Sequence, residues 1–108
     1  MVYTIDELRE FIEPIARKYR LRAVYLFGSY ARNNATDSSD VDILVDREGS
    51  VIRSMFDMGG LYADLCDNIG REVDLVTTQT LEQKSTQERM PWFVDNLQKE
   101  KVKIYEQR

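Results

Sequence analysis

Leu8, Phe11, Ile12, Ile15 and Tyr19 recur every three to four positions, the spacing that lines one face of an α-helix. Thr4 followed by Glu7 is the reciprocal N-terminal pattern in which hydroxyl and carboxylate satisfy each other's backbone N–H. Pro14 falls inside the pattern. Proline has no N–H and its ring presses on the preceding turn, at a cost of about 3 kcal/mol, so a kink or a later start is expected. Ala23 to Phe27 is continuously apolar and partly β-branched, which predicts a buried strand ending at Gly28-Ser29. A polar stretch follows, with a short helix expected from Ser29 to Asn33. Val41 to Val45 repeats the strand pattern with one carboxylate inside it, and Arg47-Glu48-Gly49-Ser50 is a turn. Met55, Met58, Tyr62, Leu65 and Ile69 predict a longer helix. Gly59-Gly60 weakens it by about 1 kcal/mol per glycine, and Gly70 suits its C-terminal end.

Val73 to Val76 predicts a third strand, again with one carboxylate. Thr80 with Gln83 opens a short helix, and Pro91 suits the first turn of a last one, in which Trp92 and Phe93 are expected to be core. Helices and strands thus alternate, α-β-α-β-α-β-α. The order argues for a layered α/β (α+β mixed) fold with a three-stranded mixed sheet and about four helices, as one domain over residues 1–108.

Composition narrows the chemistry. Apolar residues make up 43% and charged residues 31%, which is globular rather than disordered. There is no histidine, so imidazole bases, imidazole metal ligands and a Ser-His-Asp triad are excluded. The lone Cys66 forms no internal disulfide or zinc cluster and is expected to be a buried thiol. No run approaches the roughly 20 apolar residues that cross a bilayer, and the acidic start does not resemble a secretory signal. A cytoplasmic location without membrane attachment is expected. A net charge of −4 gives no footprint for a polyanion, so direct nucleic-acid binding is not expected. A small anionic ligand remains compatible if bound cations offset the repulsion.

The informative residues are Gly28-Ser29, Asp40-Val41-Asp42 and Asp74. Asp40 and Asp42 are two apart and share one face of a strand. A charge within an apolar strand is costly unless it is paired or metal-bound, and two strands carry one. Gly28 ends the first strand whereas Asp42 begins the second. They meet only if those strands are antiparallel neighbours or share a crevice. If the third strand brings Asp74 alongside, three carboxylates converge beside a glycine turn that opens a helix, whose free N–H groups suit a phosphate. Three hard oxygen donors suit Mg2+, and two such ions would neutralise a triphosphate. Each element has a plainer reading: Gly-Ser as a turn, Asp-x-Asp as a solvated loop, Arg32 as a surface cation, Ser39 as a turn cap. An EF-hand loop read from Asp40 fails, because Leu44 and Val45 stand where a polar ligand and a glycine are required.

Taken together, Gly28-Ser29, ten intervening residues, Asp40-x-Asp42 and a later strand Asp74 resemble the polymerase-β-type nucleotidyltransferase superfamily. The string GSYARNNATDSSDVDILV is similar to its minimal nucleotidyltransferase branch. The likeness runs from the first helix through Asp74 and weakens after about Gln79. Asn33 stands where the family commonly has glycine, and asparagine tolerates the same left-handed backbone. The resemblance implies the polymerase-β-like nucleotidyltransferase fold. It also implies that Gly28 and Ser29 hold the β- and γ-phosphates of ATP, and that Asp40 and Asp42 bind Mg2+. Asp74 would complete the metal site and help deprotonate the attacking hydroxyl. Arg32 and Ser39 would contact phosphate or brace the loop.

Small members of this branch are antitoxins paired with a HEPN-domain toxin, so the resemblance implies AMP transfer from ATP to a tyrosine of such a toxin. Pyrophosphate would leave, and a hetero-oligomer with the toxin is expected. Two alternatives stand beside this reading. One is an antitoxin that blocks its partner sterically through Trp92, Phe93, Tyr62 and Tyr30. The other is a nucleotidyltransferase acting on a small molecule, whose relatives usually carry a second domain.

Overall fold

The computed structural model describes residues 2–107. Helix α1 (Ile5–Lys18) leads to strand β1 (Ala23–Phe27), the short helix α2 (Gly28–Ala31) and strand β2 (Val41–Asp46). Helix α3 (Met55–Ile69) and strand β3 (Val73–Thr77) follow, then α4 (Thr78–Glu82), α5 (Lys84–Arg89), α6 (Pro91–Glu100) and strand β4 (Val102–Glu106). The strands form one sheet in the order β3-β2-β1-β4. β1 runs antiparallel to both β2 and β4, and β2 runs parallel to β3. The expected α/β fold is therefore present, with one strand more than the three expected. β4 was missed at the end of the chain, and α4 and α5 divide a segment read as one short helix.

Local chemistry accounts for most element boundaries. Thr4 caps α1, with its hydroxyl accepting from Glu7 N–H and the Glu7 carboxylate accepting from Thr4 N–H. The helix starts where that cap puts it and continues through Pro14, so the expected later start does not occur. Proline costs least in the first turn, and here the burial of Leu8, Ile12, Ile15 and Ala16 on both sides of Pro14 holds the helix together. Gly70 closes α3 at φ 75°, a left-handed conformation that glycine adopts freely. Thr77, three residues before the expected Thr80, caps α4 by accepting from Thr80 N–H.

The sheet buries both faces, unequally. Val24 and Leu26 of β1, Val41, Ile43 and Val45 of β2, Val73 of β3 and Ile104 of β4 pack under α1 and α3 in the main core. The opposite face carries a smaller core of Phe27, Leu44, Leu81 and Leu97 under α4 and α6. Because side chains alternate along a strand, Asp42 and Asp74 share this second face with Leu44 and Val76. α3 contributes Leu61, Leu65 and Ile69, whereas Met55 is 85% exposed and Tyr62 39%. The face read from the sequence was rotated, because it passed over Leu61. Leu65→Ala is expected to cost about 2–5 kcal/mol and to lower the thermal midpoint, measured by calorimetry.

Several other expectations change. Trp92 is exposed and Phe93 only half-buried, so only the latter touches the core. Tyr30 is buried and is unavailable to a docking surface. Cys66 is partly exposed. Among the described residues no helix is long and apolar enough to cross a membrane.

Candidate active site

Asp42 and Asp74 are the second residues of β2 and β3, and the parallel register sets them directly opposite one another. Neighbouring strands are about 4.8 Å apart, so the two carboxylates rise side by side from the face of the smaller core. On its other side Asp42 pairs with Phe27, the last residue of β1. The chain therefore turns at Gly28 immediately against the Asp42 side chain. Gly28 has φ 68°, and a Cβ there would lie 2.0 Å from Asp42 Oδ2. Two constraints, the left-handed backbone and this close approach, both require glycine. Ser29 follows at the start of α2, half-buried, where first-turn N–H groups lack helical acceptors.

The pair is electrostatically unbalanced. Burial pushes the Asp42 carboxyl up to about 6. The charge of Asp74, a hydrogen bond shared with it and the charge of Asp40 push the same way, against the Arg32 guanidinium. That is the signature of carboxylates short of positive charge. Asp40 is exposed just before β2, and its charge reaches Asp42. Among the described residues, however, no three metal-ligating side chains gather about one point. The structure thus brings together Asp42 and Asp74 against Gly28, with Asp40 beside them rather than in one closed cluster. Asp42, Asp74 and Asp40 offer hard oxygens at a site where their charge outweighs that of Arg32, and this donor set fits a divalent cation such as Mg2+.

The remaining predicted residues divide. Arg32 lines the cleft beside the pair but its Nη1 is 2.9 Å from Glu100 Oε2, an ion pair joining α2 to the end of α6. Ser39 braces the loop: its hydroxyl accepts from Thr36 N–H at 2.8 Å, and its own N–H donates to Thr36 C=O. Arg71, which sequence reasoning passed over, donates from Nη1 to the Asp37 carbonyl at 2.8 Å and to that of Ser39 at 3.5 Å. The Asp40 loop is thus tied to the residue that leads into β3. Ser39→Ala is expected to cost about 1 kcal/mol through the lost cap, measured by thermal melting.

The carboxylate pair opens into a cleft of about 290 Å³ whose far wall is α6. Trp92, Asn96 and Glu100 line it, four residues apart, together with Phe93 and Leu97. A larger hollow of about 710 Å³ lies between α1 and β4 around Arg9, Glu13 and Arg17. Its lining shares no residue with the carboxylate cleft, so size does not mark the site here.

The family described as "Polymerase beta, Nucleotidyltransferase" matches residues 10–107, well past the point where the likeness was expected to weaken. A candidate protein adenylyltransferase of Methanocaldococcus jannaschii is 38% identical over 78 residues, covering 71% of this chain and 81% of its own length. The protein adenylyltransferase MntA of Thermococcus cleftensis is 34% identical over 82 residues, covering 72% of this chain and 81% of its own. A similar fold, with a TM-score of 0.64 and 18% identity, occurs in the structure of the tri-AMPylated Shewanella oneidensis HEPN toxin in complex with MNT antitoxin. That likeness covers 96% of this chain and 74% of the other. With opposed aspartates on neighbouring strands, a glycine turn packed on one of them, and a family match over nearly its whole length, this chain belongs to the polymerase-β-type nucleotidyltransferases.

Proposed function

We propose that the chain is a protein adenylyltransferase antitoxin, moving AMP from Mg-ATP to a tyrosine of a HEPN-domain toxin and releasing pyrophosphate. The observation that carries the reading is Asp42, wedged between Gly28 and Asp74 with its carboxyl pushed up to about 6. The relationship to MntA supports a protein acceptor, and the fold shared with a HEPN–MNT complex supports the kind of partner. The chain would act in the cytoplasm as a single catalytic domain whose acceptor surface is supplied by that partner.

Asp40, Asp42 and Asp74 would hold Mg2+, as two ions. When bound, the metal neutralises the triphosphate and stabilises displacement at phosphorus. The chain's own groups do the rest. Gly28 lets the backbone of the turn approach the β- and γ-phosphates, and the Ser29 hydroxyl donates to a phosphate oxygen. Arg32, held by Glu100, keeps a positive charge at the mouth of the cleft. Asp74 takes the proton of the tyrosine hydroxyl as that oxygen attacks the α-phosphorus. The bond from the α-phosphorus to the bridging oxygen breaks, and pyrophosphate carries that oxygen away. Little covalent work falls to the protein, so positioning and electrostatics supply most of the rate.

The test is intact-mass measurement of a HEPN-domain protein offered as partner, after incubation with the chain and Mg-ATP. The partner is expected to gain one or more AMP masses. An unmodified partner that is nevertheless neutralised would replace this reading with steric blocking. Transfer to a small hydroxylated acceptor in preference to the partner would replace it with the small-molecule alternative.

A further inference from the structure

Helix α6 presents two unusual groups to the cleft. Trp92 is 64% exposed, a large cost in apolar surface for a residue so easily buried. It sits on the cleft wall that faces Asp42 and Asp74. Its ring meets Phe93 edge-on, with centroids 6.3 Å apart and planes at 83°, so Phe93 does not stack on it. Asn96, one helical turn further and on the same face, also lines the cleft and is exposed. Its amide has no partner among the described residues.

We infer that Trp92 and Asn96 form the nucleobase subsite of the ATP proposed above, with the indole stacking on the purine and the Asn96 amide reading its adenine edge. The inference rests on the nucleotidyl-transfer reading of the site. A planar π-face is the group on which any base stacks favourably. A side-chain amide offers a donor and an acceptor together, the pair that matches adenine's amino group and ring nitrogen. On the edge that carries N7, guanine presents two acceptors, O6 and N7, and leaves the amide oxygen without a donor. The cleft joins this wall to Gly28, so one ligand can reach the phosphate turn and the indole together. Phe93 and Leu97, packed into the smaller core beneath, fix the helix that carries both groups.

Trp92 is the chain's sole tryptophan, so its emission reports the subsite directly. The purified chain is titrated with Mg-ATP, Mg-GTP and Mg-tripolyphosphate, following tryptophan fluorescence and, in parallel, heat. Mg-ATP is expected to bind and quench saturably. Mg-tripolyphosphate should bind by calorimetry and compete with ATP while leaving the emission unchanged. Trp92→Leu is expected to weaken Mg-ATP binding about tenfold and leave tripolyphosphate binding unaltered, with Trp92→Phe recovering most of the loss. Asn96→Ala is expected to narrow the preference for ATP over GTP about tenfold. Circular dichroism confirms folding, which these exposed positions should not disturb. ATP binding with unchanged emission, or wild-type ATP affinity in Trp92→Leu, would overturn the inference while leaving the nucleotidyltransferase reading intact. A higher KM for the HEPN protein in Trp92→Leu at unchanged ATP affinity would overturn it in favour of an acceptor subsite. If neither ATP nor tripolyphosphate binds, the reading of the site itself fails.

Discussion

Asp42→Asn is expected to abolish AMP transfer and, in the same molecule, to raise the melting temperature of the metal-free protein. Both effects have one cause. In the folded chain the Asp42 carboxyl is pushed from 3.8 up to about 6 by burial and by the neighbouring Asp74 and Asp40 charges. A carboxyl whose folded pKa exceeds its unfolded value favours the folded state only while protonated. The wild-type protein without metal should therefore lose stability as pH rises from about 4 through about 6, and remain destabilised at neutral pH. Asparagine has the same shape and no charge to desolvate. It should recover about 1 kcal/mol at pH 7, a modest figure because the group is only half-buried and solvent screens it. Mg2+ should stabilise the wild type by binding the folded form and do little for the variant. The rate should fall at least about a thousandfold, since charge at the reacting centre carries most of the catalysis. Thermal melts from pH 4 to 8 with and without Mg2+, beside transfer rates, read out every part. A variant no more stable than wild type at pH 7 would show that Asp42 is not strained.

Gly28→Ala is the second change expected to act strongly, and it acts on fold and chemistry together. The left-handed backbone at φ 68° costs a residue with a Cβ about 1–2 kcal/mol. The new methyl would also meet Asp42 Oδ2 at 2.0 Å, so the carboxylate must move away from its place beside Asp74. Together these should cost about 2–4 kcal/mol. A displaced carboxylate loses its geometry with the triphosphate, so transfer should fall at least about a hundredfold even in molecules that remain folded. Melting and single-turnover rates below the melting point separate the two losses. Wild-type activity would mean that the turn and Asp42 are not in contact.

Much of this site was legible in the sequence because each key residue breaks a local rule. Asp42 and Asp74 interrupt apolar strands, and Gly28 stands where a strand meets a helix. What spacing could not show is which strand lies beside which. The antiparallel β1–β2 pair and the parallel β2–β3 pair turn distant residues into neighbours. The other omissions have physical causes. In β4 the residues Val102 and Ile104 alternate with Lys103 and Glu106 flanks the end. This five-residue edge strand gains its place only by pairing with β1. In α3 the buried stripe follows Leu61, Leu65 and Ile69, whereas Met55 and Tyr62 offered a competing stripe of the same period. Trp92 looked like core because the apolar residues there continue a helical face, yet the way α6 lies over the smaller sheet face turns it toward the cleft. Arg71 gave no local signal, since its partners are the carbonyls of a loop more than thirty residues earlier.

The central claim, that these aspartates form the metal-dependent catalytic centre, is tested most directly by crystals grown with Mn2+ and a non-hydrolysable ATP analogue. Anomalous scattering then locates the ion. The account predicts a peak within bonding distance of the Asp42 and Asp74 carboxylates, with Asp40 drawn in, and the triphosphate lying across Gly28-Ser29. A bound nucleotide with its metal remote from Asp42 and Asp74 would contradict it.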